Sequence, residues 1–368
     1  MSDIFLGLDQ EDLSSLSKDF QGNIFISSKE VDTSWPYVIS LPPNVSSLGC
    51  TSLSKTQSIS YKGETYGYPL RPWVLARILP GEHRTEIGKQ WLEAKTRSLS
   101  SVILGGGREE RCYADWVIRN MGEGVYQELY ASFIQKRFGL SGIELSAQLA
   151  RTLHEDQENR SYYIYEQSLH TSSPVHWNSS IEEFVIEKDR VTQVKINGEV
   201  HSVDGALQVA LPIDQILSLL PELTKSISVD SRYVQYNDSY WMRVSGDCSN
   251  FATETQFWDG DHPVTFVHRI SDREALVSYK MEERDKTLGW LASKNLSLVG
   301  EKIFPSWTPI WGRQSHFRYY RIAQYLEKFG IELVGKRALF SHLSMVELRQ
   351  RKEEYAGAIL SDFLRVVV

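Results

Sequence analysis

The hydrophobic period of this chain changes near residue 160, and that change limits the folds open to it. Upstream, Val125, Tyr126, Leu129, Tyr130, Phe133, Ile134 and Phe138 recur at three- and four-residue steps, the stripe of a helix buried on one side, and Gly139 suits its C-terminal cap. The spacing predicts helices over Lys89–Leu99, Cys112–Asn120, Gly124–Phe138 and Ile143–Leu153. Downstream, period-two runs predict strands at Tyr162–Tyr165, Ile181–Glu187, Val191–Ile196, Val200–Val203, Leu207–Leu211, Tyr233–Tyr236, Trp241–Ser245, Phe251–Thr255, Val264–Ile270 and Ala275–Met281. Asn197-Gly198 closes one hairpin and Lys62-Gly63 another. Further strands are expected at Asn23–Ser27, Tyr37–Leu41 and Ile331–Val334. Helices are expected at Leu8–Phe20, Trp73–Leu79, Ile213–Leu220, Gln314–Phe329 and Met345–Phe363. A helical block set between strand-forming stretches indicates an α+β fold.

At 368 residues the chain has room for two compact units, and 41% apolar with 24% charged residues is ordinary for a globular protein. The opening Met1-Ser2-Asp3-Ile4 lacks the basic start and apolar core of a secretory signal, and no run reaches the length of a membrane span. Cys50, Cys112 and Cys248 lie far apart and form no zinc or disulfide pattern. These features lead us to expect a cytoplasmic protein without a membrane span. A net charge of −7 argues against a nucleic-acid surface.

Few motifs carry chemistry. Val102-Ile103-Leu104 runs into Gly105-Gly106-Gly107, but the third glycine position of G-x-G-x-x-G is Glu110. Glu109 and Glu110 would place two negative charges where phosphates must sit, so the stretch reads as a loop leading into a helix. The nine histidines show neither HxxxH nor HExxH spacing, and no G-x-S-x-G elbow is present. More informative is the density of cations and rings toward the C-terminus: Trp307, Trp311, Arg313, Arg318, Tyr319, Arg321, Lys336 and Arg337. Arginines beside tyrosines suit an anion such as a sugar nucleotide, by bidentate charge and stacking; the plainer reading is an amphipathic helix with solvated arginines.

Several segments, taken in order, carry a family resemblance. Tyr61-Lys62-Gly63-Glu64-Thr65-Tyr66-Gly67-Tyr68-Pro69-Leu70 looks like a hairpin before a helical domain. Ala114–Gly122 and Val125–Gly139 follow, the latter a tyrosine-bearing helix leading to Lys136 and Phe138-Gly139. Val203–Pro212 resembles a strand re-entering a cofactor domain, Phe266-Val267-His268-Arg269-Ile270 a strand carrying an active-site arginine, and Leu333–Phe340 a closing Gly-Arg segment. Residues 55–365 thus resemble UDP-galactopyranose mutases and the related flavin amine-oxidase and protoporphyrinogen-oxidase-like proteins. The resemblance implies a flavin amine-oxidase/mutase-like fold, here truncated, with a helical insert and a mixed or antiparallel substrate-binding sheet. It implies a remnant nucleotide-type domain from residues 1–86, 200–222 and 331–368, a helical subdomain at 87–160, and a substrate-type sheet domain at 161–199 and 223–330.

The same family opens with a strand, a G-x-G-x-x-G turn and then an acidic residue for the ribose. Residues 1–55 hold only Gly7, Gly22 and Gly49, and the closing segment carries Phe340, Ser341 and His342 where tyrosines are common. The expectation is therefore a protein with no cofactor of its own: a pseudoenzyme acting as accessory subunit to a flavoenzyme partner, or as a homodimer, in a sugar-nucleotide or secondary-metabolite pathway. The alternative is an active FAD-dependent oxidoreductase or mutase with a rebuilt site. Arg269, Trp311, Arg313, Tyr319 and Arg337 are the candidate substrate-binding residues; under the enzymatic alternative Arg269 and Arg337 would clamp an anionic substrate or cofactor and Trp311 and Tyr319 would stack on it. No catalytic residue and no metal ligand is assigned.

Overall fold

The computed structural model describes residues 3–7, 20–28, 35–41, 50–53, 56–79, 81, 84–104, 110–154, 161–165 and 173–341. Six strands come first: β1 (Asp3–Gly7), β2 (Gly22–Ile26), β3 (Tyr37–Leu41), β4 (Cys50–Ser52), β5 (Gln57–Tyr61) and β6 (Glu64–Gly67). The helical block follows as α1 (Pro72–Ile78), α2 (Arg84–Leu104), α3 (Tyr113–Met121), α4 and α5 (Ala147–His154). α4 joins three pieces, Glu123–Val125, a π-helical turn Tyr126–Tyr130 and Ala131–Phe138, and ends on Gly139 at φ 74°. Then come β7 (Ser161–Tyr165), β8 (Val175–His176), β9 (Ile181–Glu187), β10 (Arg190–Ile196), β11 (Glu199–Ser202), β12 (Leu207–Val209), α6 (Ile213–Ser218) and α7 (Lys225–Asp230). The last part holds β13 (Gln235–Ser245), β14 (Glu254–Phe257), β15 (Val264–Ser271), β16 (Glu274–Tyr279), α8 (Arg284–Ser293), β17 (Ser297–Ile310), α9 (Ser315–Lys328), β18 (Ile331–Leu333) and α10 (Gly335–Ala338).

Two sheets organise these elements. A five-stranded sheet in the order β18-β12-β1-β2-β8 is parallel throughout. Parallel neighbours need a crossover of a dozen or more residues, and the rest of the chain is spent in those crossovers. The helical block and strands β5 and β6 lie between β2 and β8, a small antiparallel sheet β9-β10-β11 between β8 and β12, and the other five strands of the large sheet between β12 and β18. That large sheet has seven strands, β17-β13-β16-β15-β14-β5-β6; its β14–β5 pair is parallel and its other pairs antiparallel. The α+β character and the mixed large sheet match the sequence expectation. β5 and β6, from the opening stretch, sit in the large sheet, and β8 sits in the parallel one.

Burial explains which elements were legible. In β1, Ile4, Phe5 and Leu6 are each at most 1% exposed, so the strand is apolar on both faces and shows no alternation, as expected of a buried parallel strand. The edge strand β17 carries Gly300, Pro305 and Pro309, which hide a strand in sequence but are tolerated at a sheet edge. The strands expected at Tyr233–Tyr236 and Trp241–Ser245 merge into one, β13, which begins at Gln235, while Tyr233 ends the short helical turn before it. The expected helices at Leu8–Phe20 and Met345–Phe363, and the Gly105–Gly107 loop, lie outside the described residues apart from Phe20. Among the described residues no helix is long and apolar enough to cross a membrane, and no three potential ligands gather around a metal position.

Candidate functional site

The large sheet has one apolar face and one mixed face. Met242, Val244, Val267, Ala275 and Val277 are fully buried and pack with Leu291 of α8. Alternation sends the intervening residues the other way. There Glu254 stands opposite His268 and Gln256 opposite Phe266 in the β14–β15 register, and Trp241 lies 5.3 Å from the His268 ring. Gln256 Nε2 donates to Glu254 Oε1 at 2.7 Å, and the buried Trp258 Nε1 donates to Gln256 Oε1 at 3.0 Å. His268 Nδ1 lies 3.8 Å from the Glu254 carboxylate, too far for a hydrogen bond.

The C-terminal half of α4 covers this face. Tyr130, Phe133 and Arg137 fall at three- and four-residue steps and so share one side of the helix. Phe133 stacks on Trp258 with centroids 5.0 Å apart, and Tyr130 meets the same ring edge-on at 4.7 Å. The Arg137 guanidinium lies 4.8 Å from the Phe266 centroid and 5.2 Å from that of Phe138. Burial weighs against its charge, and Glu254 opposes that effect. The preceding residue points the other way. Lys136 is 6% exposed, and its Nζ donates to the carbonyls of Phe257 (3.1 Å), Asp259 (3.1 Å) and Val264 (2.6 Å), clasping the β14–β15 connection; burial pulls its pKa down to about 7.

A buried imidazole completes the cluster. His154, at the end of α5, has Tyr113 Oη 2.5 Å from Nε2 and Tyr68 Oη 3.2 Å from Nδ1, with Trp116 stacked at 5.4 Å. Burial, and then the charge of Arg137, drive its pKa to about 3, so the ring is neutral and one tyrosine donates to it while the other accepts. Burial also raises the Tyr68, Tyr113 and Tyr130 phenols, which stay protonated. The Tyr130 hydroxyl is fully buried with no hydrogen-bond partner among the described residues.

The residues singled out in sequence fall in three places. Trp311, Tyr319 and Arg337 gather around Phe340: Trp311 Nε1 donates to the Phe340 carbonyl at 2.8 Å, and Tyr319 stacks on its ring at 5.6 Å. Arg337 is 1% exposed, with its guanidinium 5.0 Å from the Trp307 centroid, and its carbonyl accepts from Tyr236 Oη at 2.7 Å. Arg313 is exposed, and its backbone N–H donates to the Glu144 carbonyl. Arg269 lies at the far end of the large sheet, bonded to the Ser249 carbonyl and the Asp272 carboxylate at 3.3 Å each. Beside it is an open depression of about 500 Å³ lined by Ser245, Gly246, Asp247, Asp272 and Arg273. Arg318 and Arg321 both pair with the buried Asp230, at 2.6 and 3.2 Å. Sequence reading passed over Arg137, Glu254, His268, Tyr68, Tyr113 and His154. Only Glu254 left a signal in sequence, the polar pair Glu254-x-Gln256 in an otherwise buried strand.

The parallel sheet has its own chemistry. Ligands of such sheets sit at the carboxyl ends of the strands, where β1 exits at Gly7. The sequence there continues Leu8-Asp9-Gln10-Glu11-Asp12, three carboxylates and no glycine. Two glycines serve the opposite end. A Cβ on Gly22 would lie 2.1 Å from the Asp3 carbonyl oxygen, and one on Gly205 would lie 2.0 Å from Asp3 Oδ1, which accepts from Ala206 N at 2.8 Å.

A parallel sheet carrying a helical block and a large mixed sheet in its crossovers is a fold this chain shares with several solved structures. Reduced UDP-galactopyranose mutase superposes on this chain with a TM-score of 0.68 at 14% identity, over 98% of this chain and 95% of that one. A protoporphyrinogen oxidase candidate from Exiguobacterium sp. 255-15 gives 0.62 at 11% identity, over 98% and 99%. Putrescine oxidase bound to putrescine gives 0.62 at 12%, over 98% and 99%. The likeness runs beyond residues 55–365 and takes in the opening strands. No family model matches the sequence, and no curated protein matches it.

Proposed function

We propose that this chain keeps the fold of flavin-dependent mutases and oxidases without a flavin site of its own, and works as an accessory subunit beside a complete flavoenzyme in a biosynthetic pathway. The observation that carries this reading is the exit of β1. A dinucleotide diphosphate needs free backbone N–H groups approached closely past glycine, with the helix dipole behind them. The sequence after Gly7 supplies Asp9, Glu11 and Asp12 and no glycine, and the glycines Gly22 and Gly205 are committed to close packing against Asp3 at the other end of the sheet.

The test is the protein as isolated from a host expressing its own pathway. A colourless preparation that gains no band near about 450 nm when mixed with FAD, and that co-purifies with a flavoenzyme, supports the reading. A yellow preparation would refute it. One observation favours the alternative, a rebuilt flavin site: the five parallel strands persist, and the buried Arg337 stands just beyond β18. The same spectrum decides between the two.

A further inference from the structure

Among the described residues no side chain pairs the charge of Arg137. It lies deep, with protein on every side, yet it keeps accessible area, so that area faces an internal cleft. Its guanidinium is flanked by the rings of Phe266 and Phe138 and makes no hydrogen bond or ion pair among the described residues. The carboxylate that faces it, Glu254, accepts from Gln256 and keeps 13% of its side chain exposed; His268 keeps 14%. Tyr68 and His268 likewise lie deep, keep accessible area and feel the charge of Arg137. The buried Tyr130 hydroxyl on the same helix side has no partner among the described residues. An enclosed, unpaired guanidinium is expensive to keep, and it is kept where a ligand supplies the missing charge.

We propose that the cleft between α4 and the mixed face of the large sheet binds an aromatic monocarboxylate, with its carboxylate on the Arg137 guanidinium and its ring along Phe266 and His268. The planar fork of arginine matches a carboxylate with two parallel hydrogen bonds. Glu254 already brings one negative charge to the space, which disfavours a dianion. The rings of Phe266 and His268 lie within 14° of parallel at 6.2 Å, and Trp241 continues that wall. This site is built on α4 and the large sheet, so it stands or falls apart from the flavin question.

The probe is 4-fluorobenzoate, titrated into the full-length protein and followed by fluorine NMR, with inorganic phosphate as competitor. Saturable binding below about 10 mM is expected, weakened about tenfold or more in Arg137→Gln, less in Arg137→Lys, and untouched by equimolar phosphate. Absence of saturation in the wild type, unchanged affinity in Arg137→Gln, or displacement by phosphate overturns the proposal. Should Arg137→Gln lose its near-ultraviolet circular dichroism, Phe266→Leu takes its place: it keeps the apolar volume but removes the ring, so it weakens the probe if the wall is as described, and unchanged affinity refutes it.

Discussion

Replacing Lys136 by methionine tests how the helical block is held to the large sheet. The side chain is 6% exposed and, at a pH below its pKa of about 7, gives all three ammonium hydrogens to carbonyls of the β14–β15 connection, those of Phe257, Asp259 and Val264. Methionine matches its length and apolar stem, so packing changes little and the three acceptors lose their donor. A hydrogen bond from a charged group is worth about 1.5–3 kcal/mol net, which puts the gross loss at roughly 5–9 kcal/mol. Removing the ammonium also relieves its desolvation, a cost of several kcal/mol for a buried ion. The difference leaves a net destabilisation of about 2–5 kcal/mol, concentrated locally. Because a chain of this size need not unfold in one step, the assay is amide hydrogen exchange, read for the β14–β15 peptides against those of the parallel sheet. Faster exchange over residues 254–268 with little change in β1 and β2 is expected. Exchange at the wild-type rate in β14–β15, or an equal acceleration everywhere, would refute the clasp.

Three further outcomes follow from buried polar groups. His154 and His316 are pressed by burial to pKa values of about 3 and about 4, so the folded chain leaves them neutral while the unfolded chain protonates both near pH 6.5. Their contribution to stability is whole above pH 6.5 and falls as pH drops, by up to about 2.7 kcal/mol per unit between pH 6 and 4; His154→Gln should halve that slope in urea melts, and an unchanged slope would contradict it. Tyr130→Phe removes a hydroxyl with no partner among the described residues and should be neutral or stabilising by up to about 1 kcal/mol, whereas Tyr113→Phe strips His154 of a hydrogen bond and should cost about 1–3 kcal/mol; equal effects in thermal melts would show the assignment to be wrong. Asp230 is 1% exposed and receives both Arg318 and Arg321, so Asp230→Asn should cost about 3–5 kcal/mol, and a loss under about 1 kcal/mol in chemical denaturation would mean the pair is not buried in solution.

What could be read from the sequence was what periodicity marks. The stripe from Val125 to Phe138 became α4, the Lys62-Gly63 and Asn197-Gly198 turns closed their hairpins with positive φ at all four residues, and the run after Gln314 became α9. Elements whose environment erases the period were missed: β1, buried on both faces, and β17, a prolined edge. In the site, charge clustering along the chain drew attention to Arg313, Arg318 and Arg321, but Arg313 is exposed before α9 begins, and Arg318 and Arg321, neighbours on one helix face, are spent on Asp230. Arg137 and Glu254 are 117 positions apart, and only the packing of α4 across β14 and β15 brings them to one cleft. His268 looked isolated because its neighbours come from other strands.

The placement of the cations also bears on what one ligand could span. Tyr236, whose hydroxyl reaches the Arg337 carbonyl, and Val244 lie eight positions apart on β13, and Val244 is linked through Ala275 on β16 to Arg269 on β15. Eight residues of extended strand cover roughly 27 Å. Arg269 and Arg337 therefore cannot close as two jaws on one diphosphate, which is only a few ångströms long. Arg269 is already held by the Ser249 carbonyl and Asp272, and its depression opens at the sheet's end, away from the mixed face. Arg137 stands over that face, with the aromatic wall running from Phe266 through His268 to Trp241. A ligand recognised by charge and ring together is thus held by the helical block and the middle of the sheet. On this geometry Arg137→Gln should weaken such recognition about tenfold or more and Arg269→Ala should leave it intact, the reverse of what the order of segments along the chain suggests.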